Sequence, residues 1–268
     1  MRDVHISRID LSAQSIEQKK DWVAEENPIH IFLNQTHYVT ILCSPSQLKE
    51  LSIGHLLSEG VVKSMDEIRE IRLEKEGISK IRLSPDIDVE KRISISQPFT
   101  RLIVSACGSP DYWPLSKLID RINLHKVPLG LTIEARVILE SVKRLNVLGT
   151  TFRKTGGVHI ATLNSRDGEL IAIAEDVGRH NAVDKMIGTG ALKKIDFQDC
   201  FLASSGRLTG DIVLKAARMC IPVVASMTAA LDSGVEAAKR TGVTIIGFVR
   251  GKRMNVFTYP ERVSLSFS

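Results

Sequence analysis

Between residues 200 and 249 short apolar runs alternate with amphipathic stretches, and that order constrains the architecture more than any other feature of the chain. CFLASS reads as a strand, TGDIVLKAARMC as a helix, PVVASM as a strand, DSGVEAAKRTG as a helix and VTIIGFV as a third strand. The second helix has capping-box spacing from Ser233 to Glu236 and a stop at Gly242. A β-α-β-α-β order implies parallel strands joined by right-handed crossovers, so the predicted fold class is α/β. Upstream, GGVHIATLNSRDGELIAIAE supplies two strands around a turn at Asp167-Gly168. Ile133, Val137, Ile138, Val142 and Leu145 mark one face of a helix.

The pattern changes near residue 128. IHIFLNQTHYVTIL reads as a hairpin around Asn34-Gln35, QLKELSIGHLLSEG as a helix ending at Gly60, and EIRLEKEGISKIRL as a second hairpin turning at Gly77. RISIS at 92–96 alternates as a strand. The chain is therefore read as a polar N-terminal tail (1–24), a mainly antiparallel β-rich domain (25–107), a proline-bearing mobile loop or linker (108–128) and an α/β domain (129–268).

In open α/β sheets ligands bind beyond the carboxyl ends of the strands. There the sequence places Ser204, Ser205, Gly206, Arg207 and Thr209, then Ser226, Met227 and Thr228, then Arg250, Gly251, Lys252, Arg253 and Asn255. A further strand-to-helix junction compresses Glu175, Asp176, Gly178, Arg179, His180 and Asn181 into seven positions. Such a junction needs a glycine and a cap, not a concentration of titratable groups, which is what a ligand site requires. Arginine and lysine beside helix N-termini suit phosphate groups. His180 is read as a site residue, and His159, in strand-like VHIA, as a satisfied core histidine.

Several chemistries are excluded or disfavoured. GFVRGKR is not a P-loop, and GTGAL does not complete a dinucleotide fingerprint. No His-x-Glu occurs and no two cysteines stand three apart, so a zinc deaminase site is not expected, nor any other metal site. A net charge of +5 without a like-charge block suits an anionic small ligand better than nucleic acid. No run is long enough for a membrane span and MRDVHISRIDLSAQ lacks a signal-peptide core, so a cytoplasmic location is expected. Cys43, Cys200 and Cys220 lie in apolar context. Cys107 enters the turn formers Gly108-Ser109-Pro110-Asp111 and is either an ordinary turn cysteine or a reactive thiol.

The strings TGGVHIATL, EDVGRHNAVDKMIG, SSGRLTGDIVLKAARMCIPVVAS and GFVRGKRMNVFTYPERV, with EENPIHIFLN and LKELSIGHLLSEGVV nearer the start, resemble the FdhD/NarQ family over nearly the whole chain. The resemblance implies a cytidine-deaminase-like three-layer α/β/α fold for the C-terminal part, without zinc, and a homodimer. It also implies a sulfur carrier that accepts persulfide sulfur from a cysteine desulfurase. That sulfur passes to the molybdenum bis(molybdopterin guanine dinucleotide) cofactor, the bound acceptor, before insertion into formate dehydrogenase. Carried over by position, the persulfide cysteine falls on Cys107 and the cofactor-binding segment on Phe248, Val249, Arg250, Gly251, Lys252 and Arg253. Glu175, Asp176, Arg179, His180, Asn181, Ser205 and Arg207 would shape the rim. The family loop commonly reads Cys-Gly-x-Cys, whereas here Pro110 holds the second cysteine position, so a two-thiol relay is not open to this chain. Two other readings remain: a chaperone that holds the guanine-dinucleotide cofactor without sulfur chemistry, and a nucleotide hydrolase using Glu175 or Asp176 as general base.

Overall fold

The computed structural model describes residues 1–94, 126–128 and 130–265. The polar opening, expected as an N-terminal tail, is a regular antiparallel ribbon of β1 (Arg2–Asp10) and β2 (Ser15–Val23). Its side chains are largely exposed, so cross-strand backbone pairing rather than a buried face maintains it. β3 (Asn27–Leu33) and β4 (Thr36–Cys43) form the expected hairpin, with Asn34 and Gln35 both left-handed at φ 46° and 75° as a two-residue turn demands. Alternation along β3 buries Ile29, Ile31 and Leu33. After α1 (Leu48–Ser58) come β5 (Ile68–Glu74) and β6 (Ile78–Leu83), and the four strands order as β4-β3-β6-β5. Ile71 lies opposite Ile81, whereas Leu73 faces Ser79 and Leu83 faces Ile68.

The RISIS stretch departs from expectation. Residues 92–94 are helical, and the Arg92 guanidinium reaches both Glu67 carboxylate oxygens at 2.5 and 2.9 Å. Alternation over five residues is too short to outvote such a tertiary contact.

The C-terminal half opens with β7 (Ile133–Glu134), α2 (Ala135–Leu148) and the short α3 (Thr150–Thr155). Then come β8 (His159–Ser165), β9 (Leu170–Asp176), α4 (Arg179–Leu192), β10 (Cys200–Ser204), α5 (Gly210–Arg218), β11 (Val223–Ser226), α6 (Asp232–Thr241), β12 (Thr244–Arg250), β13 (Arg253–Val256) and β14 (Val263–Ser264). Six strands make one sheet in the order β13-β12-β11-β10-β8-β9. β10, β11 and β12 are parallel, as the β-α-β-α-β order requires, and every residue of β10 and β11 is buried because helices cover both faces. α2 covers one face through Ile138, Val142 and Leu145, and α4, α5 and α6 form the layer on the other. The expected capping box on α6 does not form. Leu231 stands at the N-cap, the Ser233 hydroxyl accepts from the Gly210 amide 3.3 Å away, and Glu236 pairs with Arg240. No helix among the described residues is long and apolar enough to cross a membrane.

The expected boundary near residue 128 does not divide the core. One buried cluster joins Ile29, Leu51 and Leu56 to Val183, Leu202 and Ala238. α1 is buried nearly all round from Leu51 to Ser58 and sits directly on α4. Two glycines permit the contact: a Cβ on Gly54 would lie 1.7 Å from the Asp184 carbonyl oxygen, and one on Gly188 would lie 1.9 Å from that of Glu50. The two helices touch backbone to backbone.

Candidate functional site

Most charges in the EDVGRHNAVDK stretch hold the halves together. Asp176 ends β9 fully buried, and its carboxylate lies 2.6 Å from the Lys185 ammonium, nearly two turns into α4. It also accepts from the amides of Ser44 (3.0 Å) and Gly178 (2.8 Å) and from the Asn181 side chain (2.9 Å). Lys185 donates to the Ser44 carbonyl at 2.9 Å, and Asn181 donates to that of Leu42 at 2.8 Å. Glu175 points to the opposite face, where it accepts from the amides of Thr151 (3.1 Å) and Phe152 (2.6 Å) and caps α3. Glu175, Asp176 and Asn181 are therefore committed to structural partners, which leaves neither carboxylate placed as a general base.

A second buried cluster lies further along the same helix. The Lys215 ammonium on α5 reaches Asp184 (2.9 and 3.0 Å), Glu59 (2.6 Å) and Ser58 (2.9 Å), and Asp184 also contacts His55 at 3.2 Å. Burial alone would raise Asp184 and Glu59, but Lys215 and His55 hold both well below the usual carboxylate range. Arg218 adds a bond to the Ser58 carbonyl at 2.6 Å.

What remains of the motif forms a cationic rim beyond the carboxyl ends of β9 and β10 and the amino end of β8. Arg179 opens α4 half-buried. Its proton affinity is lowered by burial and by the nearby Arg207, with Asp211 opposing. His180 meets Asp211 at 3.2 Å. Burial would raise the Asp211 carboxyl, but the His180 hydrogen bond, Lys215 and Arg179 hold it below its usual range. His159 is not the satisfied core histidine its strand context suggests. It lies half-buried on the rim, 3.4 Å from the Ser205 hydroxyl, and burial together with Arg179, His180 and Arg207 lowers its affinity for a proton. Sequence reasoning also passed over Asp211, whose only signal was its place directly after the Thr-Gly that starts α5.

The loops after the three parallel strands are stitched into one surface. The Ser205 hydroxyl accepts from the Ile160 amide (3.0 Å), and Ser204 from that of Gly206 (3.0 Å). Ser226 donates to the Gly206 carbonyl (2.7 Å) and accepts from the Thr228 amide (3.0 Å). The Phe248 amide donates to the Thr228 carbonyl at 2.8 Å. Phe248 and Val249 stand where the β12–β13 register shifts, with Phe248 at φ 53° and its ring 5.4 Å from the Arg250 guanidinium. Gly251 turns the hairpin and exposes Arg250, Lys252 and Arg253. Hydrogen bonds thus run from Ser205 and Gly206 through Ser226 and Thr228 to Phe248, and the Arg179 stem packs against Gly206.

Burial pushes the thiols of Cys43 and Cys200 up to about 11, and that of Cys220 upward as well, so none of the described cysteines is activated. Cys107 lies outside the described residues, as does most of the 108–128 stretch. Among the described residues no three His, Cys, Asp or Glu side chains gather as a metal site.

A family model described as the FdhD/NarQ family matches residues 24–264. The sulfur carrier protein FdhD of Sulfolobus acidocaldarius is 35% identical over 266 residues, covering 99% of each chain. Its counterpart from Methanothermobacter thermautotrophicus is 33% identical over 262 residues, 98% of each. The crystal structure of a proposed formate dehydrogenase accessory protein from Desulfotalea psychrophila superimposes with a TM-score of 0.76 at 26% identity, covering 98% of this chain and 99% of that one.

Proposed function

The chain belongs to the FdhD/NarQ family, and on that premise we propose that it is a sulfur carrier required for formate dehydrogenase activity. The observation that carries this reading is full-length similarity to proteins named sulfur carriers, shared by both halves of an undivided core. In the proposed cycle the Cys107 thiolate attacks the outer sulfur of a desulfurase persulfide. One S–S bond forms on Cys107 as the donor's S–S bond breaks, and the desulfurase cysteine leaves as a thiolate. The Cys107 S–S bond then breaks, the cysteine leaves as a thiolate, and the sulfane sulfur passes to the molybdenum bis(molybdopterin guanine dinucleotide) cofactor, which is substrate here and whose reduced metal supplies the two electrons that make it sulfide, before insertion into formate dehydrogenase. The protein would act as a cytoplasmic homodimer.

Two features support the residue assignments. The thiols of Cys43, Cys200 and Cys220 are pushed away from ionisation, which leaves Cys107 as the candidate carrier among the chain's four cysteines. The exposed Arg250, Lys252 and Arg253 and the rim arginines supply positive charge where the strands end, suited to the phosphates of a dinucleotide. With Pro110 in the loop, sulfur moves on one thiol and cannot leave by forming a disulfide with a neighbour three positions on.

Intact-protein mass after incubation with a cysteine desulfurase and free cysteine tests the reading. A gain of one sulfur atom, lost on reduction and absent from Cys107→Ala, is expected. No gain on the wild type beside an active desulfurase would refute it and leave the cofactor-chaperone reading, which Pro110 favours.

A further inference from the structure

We propose that the β1–β2 ribbon is a dimerisation arm, in which β1 of one copy pairs antiparallel with β1 of a second copy about a two-fold axis at Ile6. The inference gives the homodimer of the proposed function its interface and rests on that reading, but not on sulfur transfer.

The ribbon is built to pair further. Its two nine-residue strands run in unbroken register from Arg2 opposite Val23 to Asp10 opposite Ser15, a length of about 30 Å. Its base docks through Trp22, whose ring lies 5.4 Å from the Lys154 ammonium on α3, and through Ala24 beside Gly157. At the far end Ile9, Leu11 and Ile16 are 64, 87 and 69% exposed. A two-stranded ribbon is marginal in water and gains stability when further strands join it. Among the described residues no strand pairs with the outer edge of β1. Other edges are guarded. On the edge strand β9, Lys193 and Gln47 donate to the Ile171 and Ile173 carbonyls at 2.6 and 3.1 Å, and β2 carries the adjacent Lys19 and Lys20. β1 has no lysine, proline or bulge to discourage a partner strand.

The residues of β1 select a second copy as that partner. With Ile6 on the axis, Arg2 stands opposite Asp10 of the second copy, Val4 opposite Arg8 and Ile6 opposite Ile6, all on one face. On the other face Asp3 meets Ile9 and His5 meets Ser7. The Arg2–Asp10 contact is made twice, and no like charges oppose each other. Moving the axis to His5 would set Arg2 against Arg8, and moving it to Ser7 would carry Arg2 past the end of the facing strand. The product is one four-stranded sheet in the order β2-β1-β1-β2, with each arm tip beside the base of the other arm. Within each ribbon Ile9 pairs with Ile16 and Asp3 with Trp22, so the exposed Ile9, Ile16 and Trp22 of both copies come to one face of that sheet.

Sedimentation of the full-length protein over a range of concentrations tests the arm. The wild type should sediment as two chains. Ile6→Lys sets two ammonium groups against each other on the axis and should raise the dimer dissociation constant about tenfold or more. Arg2→Glu and Asp10→Lys each turn two attractive contacts into repulsive ones and should weaken the dimer on the same scale. Mixed in equal amounts, those two variants should recover a dimer, because Glu then faces Lys and Asp10 faces Arg2. Asp10 also accepts from the Ser12 and Ala13 amides at 2.9 Å each, a loss that the mixture retains, so recovery reads strand pairing alone. Lys143→Ala, which removes an exposed cation on α2, should leave the dimer within about twofold of wild type. Wild-type dimerisation by Ile6→Lys, or no recovery on mixing, would overturn the arm while the homodimer stands. A wild type that stays a single chain at every concentration would overturn both, and would leave the arm to a different protein. Sulfur loading of Cys107, read by mass on the same samples, reports on sulfur transfer alone.

Discussion

Lys215→Met should reverse the sign with which one buried cluster responds to pH. In the wild type the Lys215 ammonium lies 2.6 to 3.0 Å from oxygens of Glu59 and Asp184, all three residues being at most 3% exposed. Methionine fills similar volume but leaves two buried carboxylates without their ammonium. Removing one member of a buried pair costs about 3–5 kcal/mol. Arg218 remains 3.8 Å from Glu59, and His55 and Ser58 still contact Asp184, so the expected loss near neutral pH lies at the lower end, about 3 kcal/mol. Both carboxyls are held below their unfolded values in the wild type. Their contribution is therefore present above about pH 4 and lost on acidification. In the variant, burial persists without the ammonium and the folded-state values rise above the unfolded ones. The contribution then holds below about pH 4 and is lost as pH rises. Urea unfolding at about pH 4.5 and about pH 7.5 should thus give a small gap between the two proteins at the lower pH and about 3 kcal/mol at the higher. A gap under about 1 kcal/mol near neutrality, or one that narrows as pH rises, would refute the account.

Gly188→Ala should lower stability by about 1–3 kcal/mol, read as a drop in thermal midpoint, because its Cβ would sit 1.9 Å from the Glu50 carbonyl and force α1 off α4. An unchanged midpoint would show that the helices part freely. Arg262→Met should speed limited proteolysis near 126–128, since this 1% exposed guanidinium donates to the carbonyls of Val127 (3.1 Å), Pro128 (2.9 Å) and Gly242 (2.6 Å); cleavage at the wild-type rate would refute the anchoring role. Glu175→Ala should cost about 1 kcal/mol and accelerate amide exchange at Thr151 and Phe152 while leaving sulfur loading intact, whereas loss of loading in a folded protein would return Glu175 to the site.

The parallel β10-β11-β12 unit and both hairpins around 34–35 and 77 were legible because strand length, apolar runs and turn residues all point to one answer there. The 248–253 hairpin and the loops after β10 and β11 were placed on one rim by topology alone. Within the EDVGRHNAVDK stretch the sequence reveals where charges concentrate but not which way each faces. Glu175 and Asp176 are adjacent in a strand, so they project to opposite faces, one onto α3 and the other into an ion pair with Lys185. Their partners Ser44 and Thr151 are remote in sequence or on a segment with no strong signal of its own, and no spacing rule connects them. The same limit hid the role of Gly54 and Gly188: an isolated glycine in a helical pattern does not name the backbone it lets in. The ribbon at 1–24 was missed because it buries no face, and alternating hydrophobicity is what identifies a strand.

The backbone contact between α1 and α4 has a consequence for how this protein can be recombined. A chimera that takes residues before 128 from one relative and the remainder from another would join the chain at the boundary that the sequence pattern suggests. It would nevertheless reassort both halves of a glycine-on-glycine crossing and two ion clusters, Ser44 with Asp176 and Lys185, and Glu59 with Asp184 and Lys215. Exchange is safe only in blocks that carry α1 together with α4 and α5, so the workable unit of transplantation is interleaved along the chain and no single crossover point delimits it.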